Sequence, residues 1–230
     1  WQHPDRGLLP PLEFLPVIEN NAISINIGEW VIDTALAQMP KWQTLGINIP
    51  VSVNVGAMQL QQKDFATRLA TILIKHPDVL ASNLQLEVLE TSALGDVMDA
   101  SQIMNNCVKL GVNFAIDDFG TGYSSLTYLR RLPVDLIKID QTFVRDMLVD
   151  SEDLAIVVSV IGLATTFHRK VIAEGVETIE HGTALLELGC DLAQGYGIAR
   201  PMPAEELLKW TSSWQPDETW QLVQKKTSQD

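Results

Sequence analysis

Val112-Asn113-Phe114-Ala115-Ile116-Asp117-Asp118 is a short apolar run that stops on two adjacent carboxylates. A run of this length and composition reads as a strand buried on both faces. Five more runs of the same kind occupy residues 51–55, 84–89, 136–139, 171–173 and, more weakly, 190–193. Segments with helical periodicity separate them, at 28–46, 64–76, 96–111, 124–131, 153–167, 179–189 and 203–210. Gly46, Gly111 and Gly189 stand where helix C-caps belong, and Pro203 stands at a first-turn position. Six βα units imply a parallel sheet with helices outside it. An open doubly wound sheet would call for a Gly-rich phosphate loop after the first strand, and Val55-Gly56-Ala57 is not one. A (β/α)8 barrel predicts instead that polar groups gather at the C-terminal ends of several strands.

That test is met by the sequence. Asn54 lies in Val53-Asn54-Val55, and Glu87 in Leu86-Glu87-Val88-Leu89 with Glu90 next. Asp117 and Asp118 close the run quoted above. Lys138 sits in Leu136-Ile137-Lys138-Ile139-Asp140, and Glu174 ends Val171-Ile172-Ala173, with Glu177 three residues on. A lone acid at a strand end is ordinarily a helix N-cap or a solvated turn residue. A barrel would point these strand ends at one centre, and several buried carboxylates without a partner are prohibitively costly. Bound cations make them tolerable, and an all-oxygen ligand set selects a hard ion such as Mg²⁺ or Mn²⁺ over zinc. Two metals sharing one carboxylate can clamp the attacking and leaving oxygens of a phosphoryl displacement. The residues alone thus lead to metal-dependent phosphoester hydrolysis on a barrel, with the substrate open.

Composition narrows the partners. Of 230 residues, 16 are Lys or Arg and 29 Asp or Glu, giving a formal charge of −13. That balance opposes binding of a nucleic-acid polymer through a broad basic face. It leaves room for a small anionic ligand held through metal ions. Cys107 and Cys190 have no C-x-x-C spacing and no clustered His, so two buried free thiols are expected. The longest apolar stretch, 154–167, is too short to span a bilayer. No signal peptide is expected at the start, so the reading is a cytoplasmic domain without membrane contact of its own, whose parent could be anchored through other domains.

Asp117-Asp118-Phe119-Gly120-Thr121-Gly122-Tyr123-Ser124-Ser125-Leu126 closely resembles the EAL-domain family of cyclic di-GMP phosphodiesterases. Further matches follow in order. They are Ser52-Val53-Asn54-Val55, Leu86-Glu87-Val88-Leu89-Glu90-Thr91-Ser92, Ile137-Lys138-Ile139-Asp140, Ala173-Glu174-Gly175-Val176-Glu177-Thr178, and Gln194-Gly195-Tyr196 with Arg200-Pro201. The resemblance implies that Asn54, Glu87, Asp117, Asp118 and Glu174 are metal ligands, with Asp117 bridging two Mg²⁺ or Mn²⁺ ions. It implies attack of a water on one phosphate of cyclic di-GMP, giving linear pGpG. Lys138 would help hold that water and offset negative charge, and Glu174 would orient it or take its proton. Glu90 would brace the 118–123 loop, Gln194 and Pro201 would touch the nucleotide, and Glu177 would support the site. The family also implies a homodimer and an upstream GGDEF or sensory domain.

Bland alternatives stand beside these roles. Lys138 could be a surface lysine on an edge strand, and Glu90 and Glu177 could be helix-start charges. His3, His76, His168 and His181 match no motif and are expected in loops or on polar helix faces. Trp210, Trp214 and Trp220 are expected to dock the C-terminal tail.

The Glu-Ala-Leu signature that names the family does not occur in the sequence. The expectation is an EAL-type barrel over 1–212 that lacks its first two strands, one metal-ligating Glu and a phosphate-contacting Arg, followed by a tail, 213–230. Such a chain would be weakly active or inactive, with two exposed sheet edges. Leu89 replaces the family's usual Thr. The rival readings are a catalytically inactive cyclic di-GMP receptor and a regulatory or dimerisation module that binds no nucleotide.

Overall fold

The computed structural model describes residues 1–93, 97–122 and 126–227. The expected helix starts at 96 and 124, together with Tyr123 of the loop, lie outside them. A two-residue antiparallel pair opens the fold, β1 (Gln2–His3) against β2 (Gly7–Leu8). After the short α1 (Leu15–Ile18) and the long α2 (Ile23–Thr44) comes β3 (Val51–Val55), then α3 (Ala57–Leu60) and α4 (Phe65–Ile74). Next are β4 (Leu84–Leu89), α5 (Glu90–Ala93), α6 (Val97–Val108), β5 (Asn113–Phe119) and α7 (Leu126–Arg131). The last βα units are β6 (Leu136–Ile139), α8 (Gln141–Asp146), α9 (Ser151–Thr166), β7 (Lys170–Ala173), α10 (Ile179–Glu187) and β8 (Leu192–Ala193). Helices α11 (Leu207–Ser213) and α12 (Glu218–Thr227) close the described chain.

Strands β3 to β8 form one six-stranded sheet in sequence order, every neighbouring pair parallel. This is the TIM-like α/β architecture expected. Among the described residues, the outer sides of β3 and β8 carry no further strand. The central strands are buried on both faces, with Leu84, Leu86, Val88, Phe114, Ile116, Ile137 and Ile139 all in the core. Helices supply the outer wall through Ile32, Leu36, Phe65, Leu69, Met104, Val157 and Leu185. Gly46, Gly111 and Gly189 end their helices at positive φ, as C-cap residues do.

Several boundaries move. The 112–116 run lengthens to 113–119, because the apolar pattern resumes at Phe119 beyond the acid pair. The 190–193 run shortens to 192–193. Pro203 caps a 3₁₀ turn that leads into α11, where a helix from 203 was expected. The expected tail carries α12, which packs on α10: the Trp220 indole lies against Gly182 and its Nε1–H donates to Ile179 O at 2.9 Å. His181, expected on a polar face, is buried. Its ring bridges Thr178 Oγ1 and Arg145 O at 3.1 Å each, tying α10 to α8. Both cysteines are free and buried, and burial pushes the thiols up to about 12 for Cys107 and about 11 for Cys190. Among the described residues, no helix is long and apolar enough to cross a membrane.

Candidate active site

Register explains why the polar strand-end residues meet. Asn54 pairs with Glu87 across β3 and β4, and Glu87 with Ala115 across β4 and β5. Asp117, two residues past Ala115, is therefore on the Glu87 face of the sheet. Across β6 and β7, Lys138 pairs with Ile172, which puts Glu174 on the Lys138 face in the same way.

Asp118 breaks the alternation. The register of β5 on β6 shifts between Ile116 and Phe119, and Asp118 has φ +53°. A bulge with one residue in the left-handed region turns two consecutive side chains toward one side, which a regular strand forbids. Asp tolerates that region better than most side chains, at a cost of about 1 kcal/mol. As a result, carboxylate oxygens of Asp117, Asp118 and Glu174 lie within 4.8 Å of one another.

Lys138 is the centre of the cluster. It is only 4% exposed, and its Nζ donates to Glu87 Oε2 at 2.8 Å, Asp117 Oδ1 at 2.8 Å and Glu174 Oε1 at 2.7 Å. Burial pushes its pKa down, yet the hydrogen bonds to Asp117, Glu174 and Glu87 outweigh burial and the net shift is upward. The surface-lysine alternative is excluded by this geometry. Burial raises the Glu174 carboxyl, with Lys138 opposing. Asp118 is pushed up to about 6, first by burial and then by Asp117 and Asp140. No ammonium hydrogen bond offsets it as one does for Glu174.

Asp140 belongs to this site and was read only as part of a matching stretch. It is buried, it caps α8 by accepting from Thr142 N at 2.8 Å and from the Thr142 hydroxyl, and it helps to raise the Asp118 carboxyl. The signal was present: an acid two residues before Thr142, at the junction of a strand and a short polar helix, is an N-cap pattern.

The outlying residues fall into two groups. Glu90, 1% exposed, accepts from Gly120 N at 2.9 Å, and a Cβ at Gly122 would press on its carboxylate, so it grips the loop after β5 from within. Asn54, Glu177, Gln194 and Pro201 are exposed and have no ion pair to the Lys138 cluster. Gln194 is nevertheless tied to the strand end that carries Glu174. Its N–H donates to Ala173 O at 2.8 Å, and its carbonyl accepts from Val176 N at 3.0 Å. A Cβ at Gly195 would overlap the backbone of Val176, so only glycine allows this approach. Arg200 lies over the Tyr196 ring at 4.6 Å.

All the ligand candidates offer oxygen, and three acids share one ammonium, so the donor set fits hard divalent cations. Residues 1–201 match the sequence profile of the EAL domain. The chain belongs to the EAL family. Over 209 residues, 90% of its length, this EAL chain is 42% identical to the bifunctional diguanylate cyclase/cyclic di-GMP phosphodiesterase MucR of Pseudomonas aeruginosa. Over 210 residues, 91% of its length, it is 38% identical to a cyclic di-GMP phosphodiesterase of the same organism. It spans 30% and 36% of the length of these curated relatives. The solved structure of the PaMucR phosphodiesterase in complex with c-di-GMP superposes with a TM-score of 0.86 at 41% identity, covering 90% of this EAL chain and 84% of that one.

Proposed function

We propose that this EAL domain hydrolyses cyclic di-GMP to linear pGpG. The observation that carries the reading is the convergence of Glu87, Asp117, Asp118 and Glu174 around buried Lys138 at the carboxyl ends of four adjacent strands. The relatives named as cyclic di-GMP phosphodiesterases support it.

Asn54, Glu87, Asp117, Asp118 and Glu174 would hold two Mg²⁺ or Mn²⁺ ions. Such ions, when bound, supply Lewis-acid activation of water and of the scissile phosphate. Glu174 would orient the attacking water or take its proton. Lys138 stabilises negative charge as it develops on the phosphate oxygens. Glu90 and Asp140 position the loop and the Asp118 carboxyl. Gln194, Pro201 and Glu177, exposed beside the cluster, line the approach for the nucleotide. The −13 charge makes the metal ions the means by which an anionic dinucleotide is held. A homodimer and an upstream GGDEF or sensory domain complete the reading, and residues 1–212 belong to the catalytic unit.

The test is incubation with cyclic di-GMP in Mg²⁺ or Mn²⁺, following pGpG, with Glu174→Ala as control. Weak turnover by the native chain and none by the control is expected. Binding without turnover would favour a receptor, and neither would leave a dimerisation module.

A further inference from the structure

The Lys138 ammonium has three N–H donors, and three carboxylates accept from it, at 2.8, 2.8 and 2.7 Å. No donor is left over for a water or a phosphate oxygen. An ammonium in this state cannot stabilise charge on a substrate until one carboxylate lets it go. The carboxylates have the converse problem. Glu87, Asp117 and Glu174 are only 7% exposed, 9% exposed and half-buried respectively, and without Lys138 they would repel one another in a poorly solvated pocket. Lys138 and a divalent ion therefore compete for the same carboxylates.

We propose that Lys138 is a resident counter-ion, and that metal loading displaces it from its carboxylates and thereby frees it for substrate. The inference rests on the metal-dependent reading above and adds a rule of exchange to it: an occupied metal site and a fully bonded Lys138 exclude each other. The protein can then persist metal-free with its site assembled but closed.

Two measurements test this without recourse to turnover. In isothermal titration with Mn²⁺ at pH 8, where the freed carboxylates are ionised, Lys138→Met is expected to bind about tenfold more tightly or better, because a repelling unit charge is gone. Its metal-free melting temperature falls, and Mn²⁺ raises that temperature more than it does for the native chain. Equal or weaker Mn²⁺ binding overturns the proposal, as does failure to fold in saturating Mn²⁺, since the ion should replace the ammonium. In the native chain, the ¹⁵Nζ resonance of Lys138 should shift or broaden as Mg²⁺ is added, and a resonance that stays put at saturation overturns it. If native protein binds neither ion, the metal-dependent reading itself fails, a result distinct from tight native binding with an indifferent Lys138.

Discussion

Around Lys138, three carboxylates converge on one ammonium inside the sheet. At the seam of α10 and α12, an indole lies on a glycine and donates to one carbonyl. Both places are close-packed, but they differ in what packing achieves. A buried ion cluster can often be replaced by apolar side chains of similar volume with no loss of stability. The Trp220 seam is the kind of contact that stabilises through buried area and one indole hydrogen bond. On the proposed function, charge at the strand ends serves chemistry, while the seam holds the chain together.

The sharpest way to separate them is Glu174→Gln. The side chain keeps its shape and a hydrogen-bond acceptor for Lys138, so the melting temperature should change little. Turnover of cyclic di-GMP should fall by about 10² to 10⁴, the range for a lost general base. A small loss of turnover with a large loss of stability would erase the distinction. Next in size is Gly195→Ala, where the added methyl meets Val176 backbone that cannot rotate away. A cost of about 1–3 kcal/mol is expected in thermal unfolding. Because Gln194 is tied to the same backbone, KM should rise as well.

Gly182→Ala has a smaller expected effect. Its methyl would meet the Trp220 ring, which can lift away with α12, so about 1 kcal/mol or less of stability and no change in kcat are expected. A fall in kcat would mean that the seam does more than pack. Smallest is the pH dependence. Asp118 is raised from 3.8 to about 6 in the fold. In metal-free protein its contribution to stability is complete below the ordinary aspartate pKa and fades as pH rises through 6. Bound Mn²⁺ needs the deprotonated form, so its thermal stabilisation should be greater at pH 7.5 than at pH 5. The response of Gly182→Ala to pH should match that of the native chain.

The same contrast explains what could be read from the sequence. Strands β4, β5 and β6 were legible because both faces are buried, leaving near-continuous aliphatic runs in which a single Glu or Lys stands out. Lys138 and Glu87 were visible for that reason. The bulge at Asp117–Asp118 was not, since period-two alternation sends adjacent side chains to opposite faces and only a register shift reunites them. Helix α8 is too short to show a period, and the β1–β2 pair is two residues per strand. In α12 the apolar signal is thin and begins with Trp220, whose partner Gly182 offers no side chain to hint at a contact.

The left-handed backbone of Asp118 has a consequence for how this chain would change under selection. Glycine at that position would relax the backbone and enlarge the set of sequences that fold. A screen for thermal robustness alone would therefore tend to erase the second of the paired carboxylates, and the resulting variants would be sturdier proteins short of one candidate metal ligand. Position 118 is where selection for folding and selection for chemistry part company.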